Sequence, residues 1–350
     1  MHHILNNRGR LCLIVLVCSL MSVPATADEQ ARADKPAAAG KYPAFGLTEP
    51  QATLKHGAKV YETYCAGCHG PKGDGQGPAA RFLDPKPRDF RTGQFRFSSR
   101  PSGELPTDED LMRTIKEGLH GTSMPAWNLL PEQDRKAVIE HLKTFAPEVW
   151  SNAAPAAVTV VAEDPFYGLD RSEAIARGEK AYHGLAQCYS CHPVYVAPAA
   201  LNEARASYGM PPLASVRPDP RRSKSTTNES GDALLPPDFT WNKLKRGEDL
   251  RELYLTVANG IGGAAMPTWK GILSEEDLWG MAYYIQDLAS RRPKLVTEND
   301  LKDRSHMIEA AEAERLAYEK AESERQKAEA EAARTAQENA QPAVTVPATA

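Results

Sequence analysis

Two short segments carry the residues most able to do chemistry. They share the pattern C-x-x-C-H, with Cys65, Cys68 and His69 in the first copy and Cys188, Cys191 and His192 in the second. Two thiols spaced across one turn can form thioether bonds to the two vinyl groups of a haem, and the adjacent imidazole can bind its iron. The pattern therefore predicts two covalently attached haem c groups, with four cysteines as attachment points and two histidines as proximal iron ligands.

Other kinds of site also use a C-x-x-C pair. A structural zinc site usually places its two pairs close together in sequence, whereas these pairs are more than a hundred residues apart. A thiol oxidoreductase of the thioredoxin type requires a βαβ pattern, which the sequence does not contain. The spacing therefore favours haem over zinc or dithiol chemistry.

Each predicted haem also needs a ligand on its other face. Met124 and Met266 both lie in the pattern G-x-x-M-P-x-W, after one helical segment and before another. A thioether sulfur is a soft, neutral ligand that suits haem iron and raises its reduction potential, although a methionine taken alone is usually core filler. The alternatives are His120 for the first haem and His183 or Met210 for the second.

The surrounding sequence repeats the same order of elements around both motifs. A helix over residues 51–64, with Gly57 and Tyr61 one turn apart, leads into the first motif, and Gly178 and Tyr182 match this pair before the second. A glycine- and proline-rich loop follows the first motif. Later helices show start and stop signals, which are Thr107 with Asp110, Gly118, Pro131 at the start of a helix over 131–145, and Ser274 with Asp277.

The first residues are typical of a secretory signal. Arg8 and Arg10 precede a short apolar run, and an A-x-A site ends at residue 27, which predicts a cleaved signal peptide over 1–27 and a periplasmic location. An uncleaved N-terminal membrane anchor is the alternative. Cys12 and Cys18 fall within this segment, so the other four of the six cysteines all belong to the two motifs. After signal removal, we expect no transmembrane span.

Changes of composition divide the remaining chain. We expect a flexible leader over 28–50, a first domain over 51–146, a linker over 147–169 and a second domain over 170–292. The second domain carries an inserted loop over 196–245, which we expect to be a surface excursion. The composition of residues 293–339 predicts a solvated charged helix, and that of residues 340–350 predicts a disordered tail. The net charge of −4, without a basic stripe, argues against a nucleic-acid partner.

Each repeated unit resembles a class I cytochrome c domain over about residues 51–146 and 170–290. The resemblance rests on both C-x-x-C-H motifs and on Met124 and Met266. It implies an all-α fold of two tandem domains, His/Met-ligated iron, and one-electron transfer to redox partner proteins without catalysis, within a respiratory or dehydrogenase chain. Partners could dock through the insertion or the charged helix. The alternatives are a dihaem enzyme of the cytochrome c peroxidase or thiosulfate dehydrogenase type, and a scaffolding subunit of a larger redox complex.

Overall fold

A computed structural model describes residues 49–153, 157–228, 231 and 233–340. The predicted signal peptide 1–27, the leader 28–50 apart from its last two residues, and the tail after residue 340 lie outside the described residues. The described chain is helical apart from one short hairpin, so the predicted all-α class is confirmed. None of its helices combines the length and the apolarity that a membrane span requires.

The first domain contains five α-helices. They are α1 (Glu49–Tyr64), α2 (Ala66–His69), α3 (Asp108–Glu117), α4 (Glu132–Lys143) and α5 (Pro147–Asn152). Two 3₁₀ turns, Ala80–Phe82 and Phe90–Thr92, interrupt the long segment between α2 and α3. Helix α5 lies inside the predicted linker, and its Trp150 ring contacts Phe95 edge-on at 5.9 Å, so the start of that linker packs on the first domain.

The second domain repeats this plan with additions. Its helices are α6 (Arg171–Lys180), α7 (Pro198–Ala206), α8 (Leu250–Asn259) and α9 (Glu275–Ser290). A π-helical turn over Ala181–Leu185 continues α6, and a 3₁₀ turn over Cys188–Ser190 begins the second motif. Strands β1 (Thr226–Thr227) and β2 (Ala233–Leu234) form the antiparallel hairpin.

Local signals set the helix ends as the sequence predicts. Thr107 and Asp110 form a reciprocal capping box at the start of α3, and the Ser274 hydroxyl accepts the Asp277 N–H at the start of α9. Gly118 ends α3 with a φ of 70°, a left-handed backbone that favours glycine. Pro131 differs from the expectation, because it lies just before α4 rather than in its first turn.

Helices α1 and α4 cross at a glycine, and so do α6 and α9. An added Cβ atom at Gly57 would lie 2.0 Å from the carbonyl oxygen of Ala137, and one at Gly178 would lie 1.9 Å from that of Gly280. Only a residue without a side chain permits this approach. The glycine at the same position in both N-terminal helices therefore fixes the crossing of α1 with α4 and of α6 with α9.

The predicted surface excursion over 196–245 is wrong for both ends of that segment. Helix α7 places Leu201 in the core of the second domain with no exposed surface, and Phe239 near the other end is also buried. Because the apolar face of α7 packs on the π-helical turn, it removes this surface from water. Between these ends, residues 206–215 and the described residues of 221–237, which contain the hairpin, are exposed or half-buried.

A single helix, α10 (Glu298–Ala340), ends the described chain. Its residues 323–337 are exposed, as predicted for a solvated helix. Its first half also contacts the insertion: Ile308 and Arg315 are buried, Arg304 pairs with Asp238 at 3.0 Å, and Asn202 donates to the Tyr318 hydroxyl at 2.6 Å. The helix is therefore anchored to the second domain at one end.

Two candidate haem sites

The two C-x-x-C-H motifs adopt the same turn. The N–H of His69 donates to the Cys65 carbonyl at 2.9 Å, and the N–H of His192 donates to the Cys188 carbonyl at 2.9 Å. All four thiols are half-buried and free of disulfide bonds. Each motif therefore presents two thiols and one imidazole from a single turn of backbone.

The first thiol of each motif is a poor nucleophile in this setting. Burial, with a smaller contribution from the second thiol of each pair, raises the pKa of Cys65 to about 11 and that of Cys188 to about 12. Redox-active C-x-x-C pairs instead depend on a thiol whose pKa is lowered. Cys65 and Cys188 thus lack the property on which thiol–disulfide exchange relies.

Both histidines are held in the orientation of a metal ligand. The Nδ1 atom of His69 lies 3.1 Å from the Arg88 carbonyl, and that of His192 lies 2.9 Å from the Pro237 carbonyl. Because a carbonyl only accepts, the proton resides on Nδ1 and the Nε2 lone pair is free to bind a metal. Burial also lowers the pKa of His69 and lowers that of His192 to about 4, which keeps both rings neutral.

An aromatic ring supports each imidazole. Phe90 stacks on His69 with centroids 4.6 Å apart, and Phe239 stacks on His192 at 4.8 Å. These contacts and the two accepting carbonyls come from one repeated pattern, P-x-D-F, at residues 87–90 and 236–239. This pattern was not among the sequence predictions, which placed its second copy in the insertion, although the repetition itself is a detectable signal.

A buried tyrosine fixes the chain just after each histidine. The Tyr61 hydroxyl donates to the Gly70 carbonyl at 2.8 Å, and the Tyr182 hydroxyl donates to the Pro193 carbonyl at 2.9 Å. Both tyrosines lie on the helix that leads into the motif, as the sequence repeat indicated. The N-terminal helix thus orients the imidazole by bonding to the next residue.

The two candidate methionines lie in equivalent loops. The N–H of Leu119 donates to the Met124 carbonyl at 3.1 Å, and the N–H of Ile261 donates to the Met266 carbonyl at 3.2 Å. Both methionine side chains are half-buried. The loops share one backbone fold, whereas ligation of iron by Met124 and Met266 stays a prediction.

The structure weakens two of the alternative ligands. His183 is fully buried, its Nδ1 atom is 2.9 Å from the Glu179 carbonyl, and its Nε2 atom accepts the Tyr195 N–H at 3.2 Å. With both nitrogens engaged, the ring has no lone pair for a metal. His120 is exposed on the first methionine loop. Met210 is half-buried just after α7, where no contact favours or excludes it.

The donor set fits a covalently bound haem. Each site offers two thiols, an imidazole with a free Nε2 lone pair and a thioether loop, which are the groups that c-type haem uses. Among the described residues, no group of three or more His, Cys, Asp or Glu side chains could hold a metal ion. The residues present therefore match haem iron better than a separate metal centre.

Comparisons with known proteins agree with this chemistry. Residues 52–142 and 173–285 both match the family described as Cytochrome C oxidase, cbb3-type, subunit III. The chain is also similar to a chain in the solved structure of the Kuenenia stuttgartiensis reducing HAO-like protein complex Kustc0457/Kustc0458, with 32% identity, a TM-score of 0.54, and coverage of 67% of this chain and 96% of that chain. No curated protein matches it.

The two matched regions coincide with the two domains that present a C-x-x-C-H turn, a carbonyl-bonded imidazole and a methionine loop. The family implies covalently bound haem c and haem-based electron transfer. This chain belongs to the Cytochrome C oxidase, cbb3-type, subunit III family, as a protein of tandem cytochrome c domains.

Proposed function

We propose that this protein is an exported dihaem c-type cytochrome that passes electrons one at a time, as a carrier or as a subunit of a respiratory or dehydrogenase chain. The observation that carries the proposal is the repeated imidazole geometry. His69 and His192 each present a free Nε2 atom while Nδ1 bonds a backbone carbonyl. Two equivalent sites in one chain support transfer between a donor and an acceptor.

The roles of the residues follow from their chemistry. The two thiols of each motif would hold a haem c through thioether bonds, and the imidazole Nε2 atom would bind its iron. The bound group supplies a reversible one-electron change at iron. The stacked Phe90 and Phe239 rings keep the imidazoles in one orientation, so that little rearrangement accompanies the change of charge.

Met124 and Met266 would each supply a thioether ligand to the haem iron of their domain. A thioether ligand raises the reduction potential and closes the iron to other molecules. A closed site favours electron transfer over the peroxidase alternative, which needs an open position. The thiosulfate dehydrogenase alternative uses a further cysteine, whereas Cys65, Cys68, Cys188 and Cys191 all belong to the motifs.

Electron paramagnetic resonance of the oxidised holoprotein tests this proposal. We expect two low-spin His/Met signals, one lost in Met124→Ala and the other lost in Met266→Ala. Met210→Ala is the matched control and should keep both signals. A high-spin signal in the wild type, or a signal that neither substitution changes, would contradict a closed dihaem carrier.

Export rests on the basic, apolar and A-x-A segments within residues 1–27. Cleavage would release a periplasmic protein that begins at residue 28. Mass spectrometry of the protein purified from its native host tests this directly. An intact N-terminus in the membrane fraction would instead support the uncleaved anchor.

Membership of a complex is supported by two observations. The similar solved structure is a complex of two proteins, and residues 323–337 of α10 extend from the second domain with exposed side chains. We propose that this part of α10 contacts a redox partner protein. Deletion of residues 320–350, which spares the anchored half of α10, should abolish co-purification of a partner and leave both haem spectra intact. Unchanged co-purification would exclude this role for the helix.

A further inference from the structure

The two domains contact each other through equivalent backbone positions. The N–H of His120 in the first methionine loop donates to the Lys245 carbonyl at 3.2 Å, and the N–H of Gly262 in the second methionine loop donates to the Arg96 carbonyl at 3.1 Å. His120 and Gly262 occupy matching positions before Met124 and Met266, while Arg96 and Lys245 each follow a P-x-D-F pattern by the same interval. Each methionine loop therefore contacts the segment that supports the histidine of the other domain.

The first domain makes more hydrogen bonds to the second methionine loop than this one reciprocal pair. Residues 95–102 of the first domain, here named the clasp segment, make further hydrogen bonds to the second methionine loop. The N–H of Ser102 donates to the Asn259 carbonyl at 2.8 Å and lies 3.1 Å from the Thr268 hydroxyl, and the Asn259 side chain donates to the Ser98 carbonyl at 3.2 Å. Asn259 and Thr268 flank the loop that contains Met266, so the clasp segment joins both of its ends.

The loop and the clasp segment are in very close contact. An added Cβ atom at Gly262 would lie 2.0 Å from the Phe95 carbonyl oxygen. At the matching position of the first domain, His120 carries an exposed side chain. The second methionine loop is thus shaped to fit against the first domain, whereas the first loop has room for a side chain at the same point.

The clasp segment is itself fixed within the first domain. Phe95 stacks on Phe90 with centroids 6.2 Å apart, and the Ser99 N–H donates to the Asp110 carboxylate at 2.8 Å. From the second domain, the buried Arg246 guanidinium donates to the Ser98 carbonyl at 2.8 Å and bonds Glu252 on α8. A buried cluster of charge-assisted hydrogen bonds of this kind resists displacement. The clasp segment is therefore a rigid support for the loop.

We propose that the first domain positions Met266, the candidate iron ligand of the second, with Asn259 and Thr268 as positioning residues held by the clasp segment. The proposal rests on the proposed function, because it assumes that Met266 binds iron. Its consequence is an unequal dependence: the second haem site relies on the first domain for its methionine, whereas the first site relies far less on the second domain.

Substitutions of the positioning residues test the proposal in the oxidised holoprotein. Thr268→Ala gives the second loop the residue that the first has at Ala126, and Asn259→Ala removes the bond to Ser98. Glu117 occupies the position of Asn259 on α3 and is exposed, so Glu117→Ala is the matched control. Imidazole, which competes with a weakly held methionine for haem iron, is the probe, and the two paramagnetic resonance signals report each site separately.

We expect Thr268→Ala and Asn259→Ala to lower the imidazole concentration for half-displacement at the second site by roughly fivefold, the factor that the net contribution of one hydrogen bond implies. The reduction potential of the second haem should fall, because methionine ligation raises it. The first site should be unaffected in both variants, and both sites should be unaffected in Glu117→Ala. Thr268 is half-buried, so its variant keeps the test available if Asn259→Ala does not fold.

Two results would overturn the proposal: no change at the second site in Thr268→Ala, or equal changes at both sites. Failure of the proposed function gives a different result, because the second signal would then survive Met266→Ala. If Met266→Ala removes that signal while Thr268→Ala leaves imidazole competition unchanged, Met266 is a ligand that the first domain does not position.

Discussion

The two domains build the same histidine geometry on very different amounts of core. The apolar cluster of the first domain has five buried members, which are Val60, Tyr61, Phe90, Val138 and Leu142. The cluster of the second domain is several times larger and includes fully buried residues from α6, α7, α8 and α9. The geometry of each site therefore depends on a few contacts around the imidazole, while the stability of each domain depends on its own apolar core.

The extra core of the second domain comes from added chain. Helix α7 contributes Leu201, the segment after it contributes Val216, and α10 covers this region with Ile308 and Arg315. Arg315 pairs with Glu312 and Glu319, each at 2.7 Å. The first domain has no equivalent of α7 or α10 among its described residues. We infer that a bound haem contributes a larger share of its interior.

Removal of haem attachment should give the largest difference between the domains. In Cys65→Ser/Cys68→Ser, we expect hydrogen-exchange protection of α1 and α4 to fall by at least roughly a hundredfold, because five residues are a small core without the haem. In Cys188→Ser/Cys191→Ser, α6 and α9 should retain most of their protection. Hydrogen exchange measured by mass spectrometry makes the comparison. An equal loss in both variants would show that core size does not separate the domains.

Substitution at the helix crossings should have the next largest effect. Gly178→Ala places a methyl group against the Gly280 carbonyl within the larger core, and should cost about 3 kcal/mol in the free energy of unfolding. Gly57→Ala should cost roughly 1–2 kcal/mol, because the smaller core permits a shift of α1. Denaturant unfolding measures both values. Gly67→Ala is the control, since no atom lies within 4 Å of its added Cβ atom. A larger cost in the first domain would contradict the comparison.

Acid should destabilise the second domain because its π-helical turn contains the buried His183. Burial lowers the pKa of His183 to about 4 from 6.5, so the unfolded chain takes up this proton at a higher pH than the folded one. The stability that neutral His183 contributes is present above pH 6.5 and is lost as the pH falls towards 4, by up to about 3 kcal/mol. His183→Gln should flatten this dependence, which unfolding measured from pH 7 to pH 4 would detect. An unchanged slope in that variant would exclude His183 as its source.

The smallest difference concerns one ion pair at matching positions. Arg177 pairs with Asp277 at 2.7 Å in the second domain, and His56 lies 2.7 Å from Asp134 in the first. His56→Arg would give the first domain a charge that persists at every working pH. Because the site is partly exposed, we expect less than about 1 kcal/mol of stabilisation in thermal unfolding. A change in melting temperature as large as that caused by a core substitution would show that this pair contributes more than a partly exposed ion pair does.

Much of this protein could be predicted from short-range patterns. The C-x-x-C-H spacing places Cys65, Cys68 and His69 on one turn, because residues so close in sequence lie close together in space. The capping boxes at Thr107 and Ser274, and the glycine at the end of α3, are likewise decided by residues three or four positions apart. The repeat of these signals was enough to predict two similar units, and the resemblance to class I cytochrome c domains implied their all-α class, which the family match supports.

Other features depended on contacts between distant parts of the chain. Pro237 reaches His192 across 45 positions, Phe239 stacks on the same ring, and α10 covers the insertion through Arg304 and Tyr318. The clasp segment is likewise polar and irregular in sequence. The hydrogen bonds that Ser98 and Ser102 form with Asn259 are visible only in the tertiary structure. The sequence alone indicated which residues are candidates to bind haem, because that depends on residue type and local spacing. Only the tertiary structure decided which carbonyl accepts a hydrogen bond from each imidazole and which domain contacts each methionine loop. Many distant carbonyls and segments could make these contacts, and the local sequence does not distinguish among them.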